Sequence, residues 1–180
     1  LALYEVYQFL AWIVAQLFPD TCVEAILPLH ARMWGIPQVG AAKASGSVVF
    51  LGAEGTAIAA GARLTLSGAV WTTTAGLVVG AGGSASVTVE AVAAGVAGNS
   101  AAGATLALEV PVVGLSRQSA EVEAGGLTGG LDIETIESWR GRICDHIREP
   151  PHGGANHDYV RWVREALPGF GRVKIHNAWV

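Results

Sequence analysis

The sequence predicts an α+β protein: N-terminal helices, a central Gly-rich antiparallel β domain forming a small barrel or sandwich, then two helices and a strand. Three observations predict it. Apolar residues recur at helical spacing before residue 36 and again after about residue 126. Between about 45 and 124 the apolar period falls to two, and glycine-containing turns break the runs. The 180 residues are 51% hydrophobic and 14% charged, which suits a sizeable core and is too apolar for a disordered chain. The expected segments are 1–44 (helical), 45–125 (β) and 126–180 (helical and αβ). The chain starts without Met and stops just after a strand-like run, so it is expected to be truncated before a further C-terminal region.

In the first segment Ala2, Val6, Phe9, Leu10, Ile13 and Leu17 lie at helical spacing. Pro19-Asp20 breaks that run. Asp20 or Thr21 is expected to cap a second helix through Val23, Ile26, Leu27 and Ala31, kinked at Pro28. In the β segment Val48 and Phe50 share one face. Leu64 and Leu66 lie opposite Arg63 and Thr65, and Val87, Val89 and Ala91 lie opposite Ser86, Thr88 and Glu90. Leu106, Leu108 and Val110 lie opposite Thr105, Ala107 and Glu109. A period of two turns one set inward and leaves the other in water.

The turns Gly52-Ala53-Glu54-Gly55, Gly80-Ala81-Gly82-Gly83 and Gly98-Asn99 supply positions where φ can be positive. The Gly/Ala-rich stretch 76–104 is read as strands rather than a linker. After Gly129-Gly130, Asp132 is expected to cap a helix carrying Ile133, Ile136, Ile143 and Ile147 on one stripe. Glu134 and Glu137 suit its positive start and Arg148 its end, before Pro150-Pro151. Asn156 is the candidate cap of a second helix through Tyr159, Val160, Trp162, Val163 and Leu167, closed by Pro168-Gly169. Val173 and Ile175 alternate with Lys174 and His176 in a final strand.

Composition narrows the function. Net charge is −4, and Arg140, Arg142, Arg161 and Arg164 are interleaved with acids, so they read as a solvated helix face and not a nucleic-acid surface. Leu1 to Phe18 is strongly apolar but carries Glu5, Gln8 and Gln16 and no basic N-region. It is neither a signal peptide nor a clean membrane span, and no membrane partner is expected. Cys22 and Cys144 form no CxxC pair and read as ordinary thiols of a reducing cytoplasm.

Residues Gly125-Gly126-Leu127-Thr128-Gly129-Gly130 are followed by no Lys, as a phosphate loop requires, and read as a flexible or tightly turned strand-to-helix hinge. Cys144, His146, His152 and His157 are zinc-binding types, but Cys144 and His146 fall on different sides of a helix. No G-x-S-x-G elbow occurs, His157 and Asp158 are helix neighbours that do not face each other, and Glu121 and Glu123 read as a solvated strand edge. No catalytic residue, cofactor or metal is expected, and the chain does not read as an enzyme. Trp139 and Trp162 read as core or interface residues. Trp12, Trp34 and Trp179 add apolar surface, and an N-terminal helix too apolar for so small a domain points to assembly. Ile136, Trp139, Ile143, Tyr159 and Trp162 are the candidate interface residues.

The order of short motifs resembles the baseplate J-like family of Mu-like phages and related contractile tails. The motifs are Gly46-Ser47-Val48-Val49-Phe50-Leu51-Gly52, Gly55-Thr56-Ala57-Ile58-Ala59-Ala60-Gly61 and Trp71-Thr72-Thr73-Thr74-Ala75. They continue with Gly95-Val96-Ala97-Gly98-Asn99 and with Gly126-Leu127-Thr128-Gly129-Gly130-Leu131-Asp132, followed by Glu137 and Arg140. The last is Pro150-Pro151-His152-Gly153-Gly154, with Asp158-Tyr159 and Trp162 behind it. The stretch ending Trp34-Gly35-Ile36-Pro37 also resembles the segment before the family's β domain.

Two departures stand out: Ala59-Ala60 where the family usually has Pro, and Trp71 where it has Tyr or Phe. Family members are generally about twice this length. The resemblance implies a structural subunit of a baseplate wedge, in the virion tail and made in the bacterial host cytoplasm. Its implied partners are other wedge and hub proteins and further copies within a ring, and the family has no catalytic residues to carry over. The rival expectation is a carbohydrate- or receptor-binding β module, which requires exposed aromatics where only Phe50 and Trp71 are available.

Overall fold

The computed structural model describes residues 2–150 and 156–166. The chain forms two compact units, one of residues 39–134 and one of residues 1–38 with 135–180. The expected β segment 45–125 lies inside the first.

The β unit contains β1 (Ser45–Gly52), β2 (Ala57–Ile58), β3 (Arg63–Leu66), β4 (Ala69–Thr73), β5 (Leu77–Val78), β6 (Ser84–Ala91), β7 (Thr105–Leu108) and β8 (Leu115–Val122). Six of these close a barrel in the order β1-β6-β4-β3-β7-β8, and β8 returns to β1; β2 and β5 pair separately. Every pairing is antiparallel. The choice between barrel and sandwich is thus settled for the barrel, whose six strands close on themselves.

The alternating residues do what their period requires. Val48, Phe50, Leu64, Val87, Val89, Ala91 and Leu106 are buried together with Trp71, Ala120 and Val122. Outside, Lys43 pairs with Glu90 and Arg63 with Glu109, each at 2.9 Å. Phe50 and Trp71 are the two aromatic residues of this unit, and both are core. Each such side chain contributes about 1.5–3 kcal/mol of burial. The Trp71 indole N–H, which must find a partner when buried, donates to the Gly98 carbonyl at 3.0 Å.

Some expectations are corrected. β7 stops at Leu108, and Val110 is 70% exposed instead of continuing the inward row. The reason is the next loop, where the Gln118 amide bonds both Val112 N–H (2.8 Å) and Val112 C=O (2.9 Å) in place of a strand partner. Gly55 and Gly83 take positive φ as expected, but Gly98 and Asn99 do not. Gly98 is small for packing: a Cβ there would lie 3.0 Å from the Cβ atoms of Ala44 and Ala91. The stretch 76–104 is only partly strand, with a 3₁₀ turn at Val96–Gly98. A two-residue turn at Ser67-Gly68, both with positive φ, joins β3 to β4.

Of the two forms expected for residues 125–130, the segment takes the tightly turned one, with positive φ at Gly126 and Gly129. Leu127 is fully buried, and Ser100, Ser45 and Ala42 bridge Leu127, Thr128 and Leu131 in turn. Asn99 closes this clasp by donating to Gly130 C=O (2.9 Å) and accepting from Gly130 N–H (2.8 Å). Asp132 is not a helix cap either. Its carboxylate accepts from Val96 N–H at 3.0 Å, and Glu134 accepts from Val39 N–H at 3.1 Å.

The helical unit contains α1 (Ala2–Gln16), α2 (Leu27–Trp34), α3 (Ile136–Arg148) and α4 (Asn156–Ala166). The second helix begins later than expected. Residues 17–26 are turns, and Pro28 stands in the first turn of α2, where its missing N–H costs nothing, so it starts the helix instead of kinking it. Gly35 ends α2 with φ of 67°. Likewise Ile133 lies outside α3, and Thr135 caps it by accepting from Ser138 N–H at 3.2 Å. Cys22, Leu27, Ala31, Trp139 and Ile143 form this unit's core. Pro151, Leu167, Pro168-Gly169 and the expected strand around Val173 and Ile175 lie outside the described residues.

Candidate assembly interface

Helix α1 leaves its apolar side chains in water. None of its residues is buried, and Leu3, Tyr4, Tyr7, Phe9 and Val14 each expose more than half of their area. Its one charge is Glu5. The helix is nevertheless fixed at its C-terminal end. The Gln16 side chain donates to Trp12 C=O (2.9 Å) and accepts from Val23 N–H (2.8 Å), and the His30 ring N–H donates to Gln16 C=O (2.9 Å). The Thr21 hydroxyl donates to Ala15 C=O at 2.8 Å instead of capping a helix. Hydrogen bonds that hold an apolar helix at one end reduce the ordering entropy left to lose when a partner arrives. No helix among the described residues is long and apolar enough to cross a membrane.

The five candidate interface residues divide into two groups. Trp139 and Ile143 are buried and Ile136 is half-buried, all on α3 in the helical core, where the Trp139 indole N–H donates to Ile36 C=O at 2.8 Å. Tyr159 and Trp162 on α4 are 47% and 45% exposed and meet edge to face at 5.2 Å. Beside them Asp158 is fully buried and pairs with Arg161 at 3.2 Å. Reading the sequence missed α1 as a site with named residues, although its apolar content was visible. It also missed the Asn99–Gly130 clasp, because contacts between loops leave no periodic trace.

Burial raises the Cys144 thiol above its ordinary value, Arg148 opposes this, and Asp20 adds to it, so the nucleophilic thiolate is disfavoured. Cys144 and His146 are joined by no group of His, Cys, Asp or Glu that could hold a metal among the described residues; His152 and the His157 side chain lie outside them. One groove on the barrel contains Val49, Leu51, Glu121 and Glu123, and another lies along Ala59–Arg63 and Leu108–Val112. Neither sets a nucleophile beside a base.

Residues 47–130 match the family model of the baseplate J-like protein barrel domain, a span that begins in β1 and ends at the clasp glycine. This barrel belongs to the baseplate J-like family. The likeness extends past the baseplate J-like barrel into both helical segments. Baseplate protein gp47 of Escherichia phage Mu is 34% identical over 174 residues, 96% of this chain and 48% of that protein. The Mu-like prophage FluMu protein gp47 of Haemophilus influenzae is 36% identical over 168 residues, 92% of this chain and 46% of that protein. The chain thus spans about half the length of these relatives. Within this barrel Trp71 is held through its indole N–H on Gly98 C=O.

Proposed function

We propose that this chain is part of a structural subunit of a phage-tail baseplate wedge, acting by self-association and by contacts with neighbouring wedge and hub proteins. The observation that carries this reading is the likeness, over 96% of the chain, to a protein named for the baseplate of phage Mu. The exposed, anchored apolar helix α1 supports it, since monomeric surfaces rarely keep so much contiguous apolar area in water. Tyr159 and Trp162 form a second contact surface, and Ile136, Trp139 and Ile143 hold the helical unit behind it. On this reading the protein is made in the host cytoplasm and works in the virion tail, without catalysis. The rival carbohydrate- or receptor-binding module has lost its requirement, because Phe50 and Trp71 are both core.

The test is electron microscopy of particles made with an early stop codon in the gene. Heads without assembled tails are the expected result; normal contractile tails with intact baseplates would overturn the reading. Trp162→Asp in an otherwise folded protein is expected to block assembly, and normal assembly would remove the α4 surface from it.

A further inference from the structure

The chain passes between its two units twice, from Gln38 to Val39 and from Glu134 to Thr135. Inside the barrel unit these two crossings are paired. Glu134 N–H donates to Val39 C=O at 3.0 Å, and the Glu134 carboxylate accepts from Val39 N–H at 3.1 Å. Pairing recurs at every third residue. Ala42 and Leu131 exchange both backbone bonds (2.9 and 3.0 Å), as do Ser45 and Thr128 (2.8 and 2.9 Å). Residues 39–45 and 128–134 therefore form an antiparallel ribbon. Gly95 N–H locks it by donating to Ala42 C=O (3.0 Å), and Asn99 and Asp132 hold its other strand.

The core of the helical unit is discontinuous along the chain. Cys22, Leu27 and Ala31 precede the barrel, and Trp139 and Ile143 follow it. The bonds that join the two halves close long loops. Trp139 to Ile36 C=O (2.8 Å) spans 103 residues, and Arg142 to Pro37 C=O (2.7 Å) spans 105. With the barrel open, ordering so long a loop opposes the helical core. With the ribbon formed, the path from Ile36 through Val39 and Glu134 to Trp139 is only about ten residues. The cost of closure follows the three-halves power of loop length, so this shortening is worth about thirtyfold in an equilibrium constant. We propose that the ribbon is a coupling device: by holding Val39 beside Glu134, the closed barrel raises the folding equilibrium of the helical unit about thirtyfold. The coupling runs along the chain and needs no side-chain contact between the units.

The test is amide hydrogen exchange of α3 in the 180-residue chain, which reads the stability of the helical unit. Leu64→Asp places an unpaired charge at a fully buried barrel position and should unfold the barrel. Protection of α3 should then fall about thirtyfold. Adding Ala42→Cys and Leu131→Cys to that variant lets a disulfide replace the ribbon, because the two positions are direct partners across it. Oxidation with glutathione disulfide should return α3 protection to the level of the chain with a folded barrel, and dithiothreitol should remove it again. Every chain compared carries Cys22→Ala and Cys144→Ala, so that no other thiol enters the pairing. Val89→Asp, also at a fully buried position, replaces Leu64→Asp should the first charge leave the barrel folded.

Undiminished α3 protection beside an unfolded barrel overturns the proposal. So does a loss that the disulfide leaves unrepaired, since closing the loop would then not be what the barrel supplies. The baseplate reading stands or falls separately, on tails made without the gene.

Discussion

Gly130 shows how a single side chain can be excluded by its neighbours. A Cβ there would run into the Gly95 carbonyl oxygen and would lie 2.8 Å from Asn99 Oδ1 of the clasp. Gly130→Ala should therefore cost about 2–4 kcal/mol of barrel stability in urea titrations. Gly103 has open space but a φ of +77°, so Gly103→Ala should cost only about 1 kcal/mol. Equal losses would mean that crowding is not what fixes Gly130. Cys144 gives a pH prediction. Its raised thiol favours the protonated form in the folded state. Its contribution to stability is full below the ordinary thiol range and is lost as pH rises through the raised value. The helical unit should lose stability toward alkaline pH less steeply in Cys144→Ala than in the parent, as read from urea midpoints.

At the scale of elements, Asp132 and Thr135 decide where α3 begins. Both are good cap residues, and the sequence places Asp132 just before an apolar stripe. The Val96 amide takes its carboxylate, and the helix starts three residues later behind Thr135. Thr135→Ala should thus destabilise the helical unit by about 1 kcal/mol. Asp132→Ala should act instead on the barrel, with faster hydrogen exchange at the Val96 amide, which loses its acceptor. Should Asp132→Ala lower the helical unit alone, the capping assignment would revert to Asp132. Pro28 carries the same lesson, since one residue type either kinks a helix or starts it, depending on position.

At the scale of the molecule, each unit has its own buried core. Unfolding followed by far-UV circular dichroism should therefore show two transitions. Ile143→Ala, which empties a fully buried position, should lower one of them by about 2–5 kcal/mol and leave the other in place. A single transition shifted as a whole would show that the two cores unfold together. The proposed place in a tail baseplate belongs to this scale too, since it asks what covers the apolar surface of α1 that the chain leaves in water.

The sequence by itself determined the α+β order, the inward rows at Val48, Phe50, Leu64, Val87, Val89 and Leu106, and the apolar character of α1. These follow from periodicity, which depends only on neighbours along the chain. The resemblance carried by its short glycine motifs was likewise legible before any fold was known. The tertiary structure alone decided that the sheet closes into a barrel, that Gln118 ends the inward row at Val110, and that Asp132 and Asn99 serve the clasp. It also decided that Trp139 is core while Trp162 is exposed, though both sit on amphipathic helices. The physical reason is shared: a hydrogen-bonding or apolar group takes the best partner in space, and residues distant along the chain supply it.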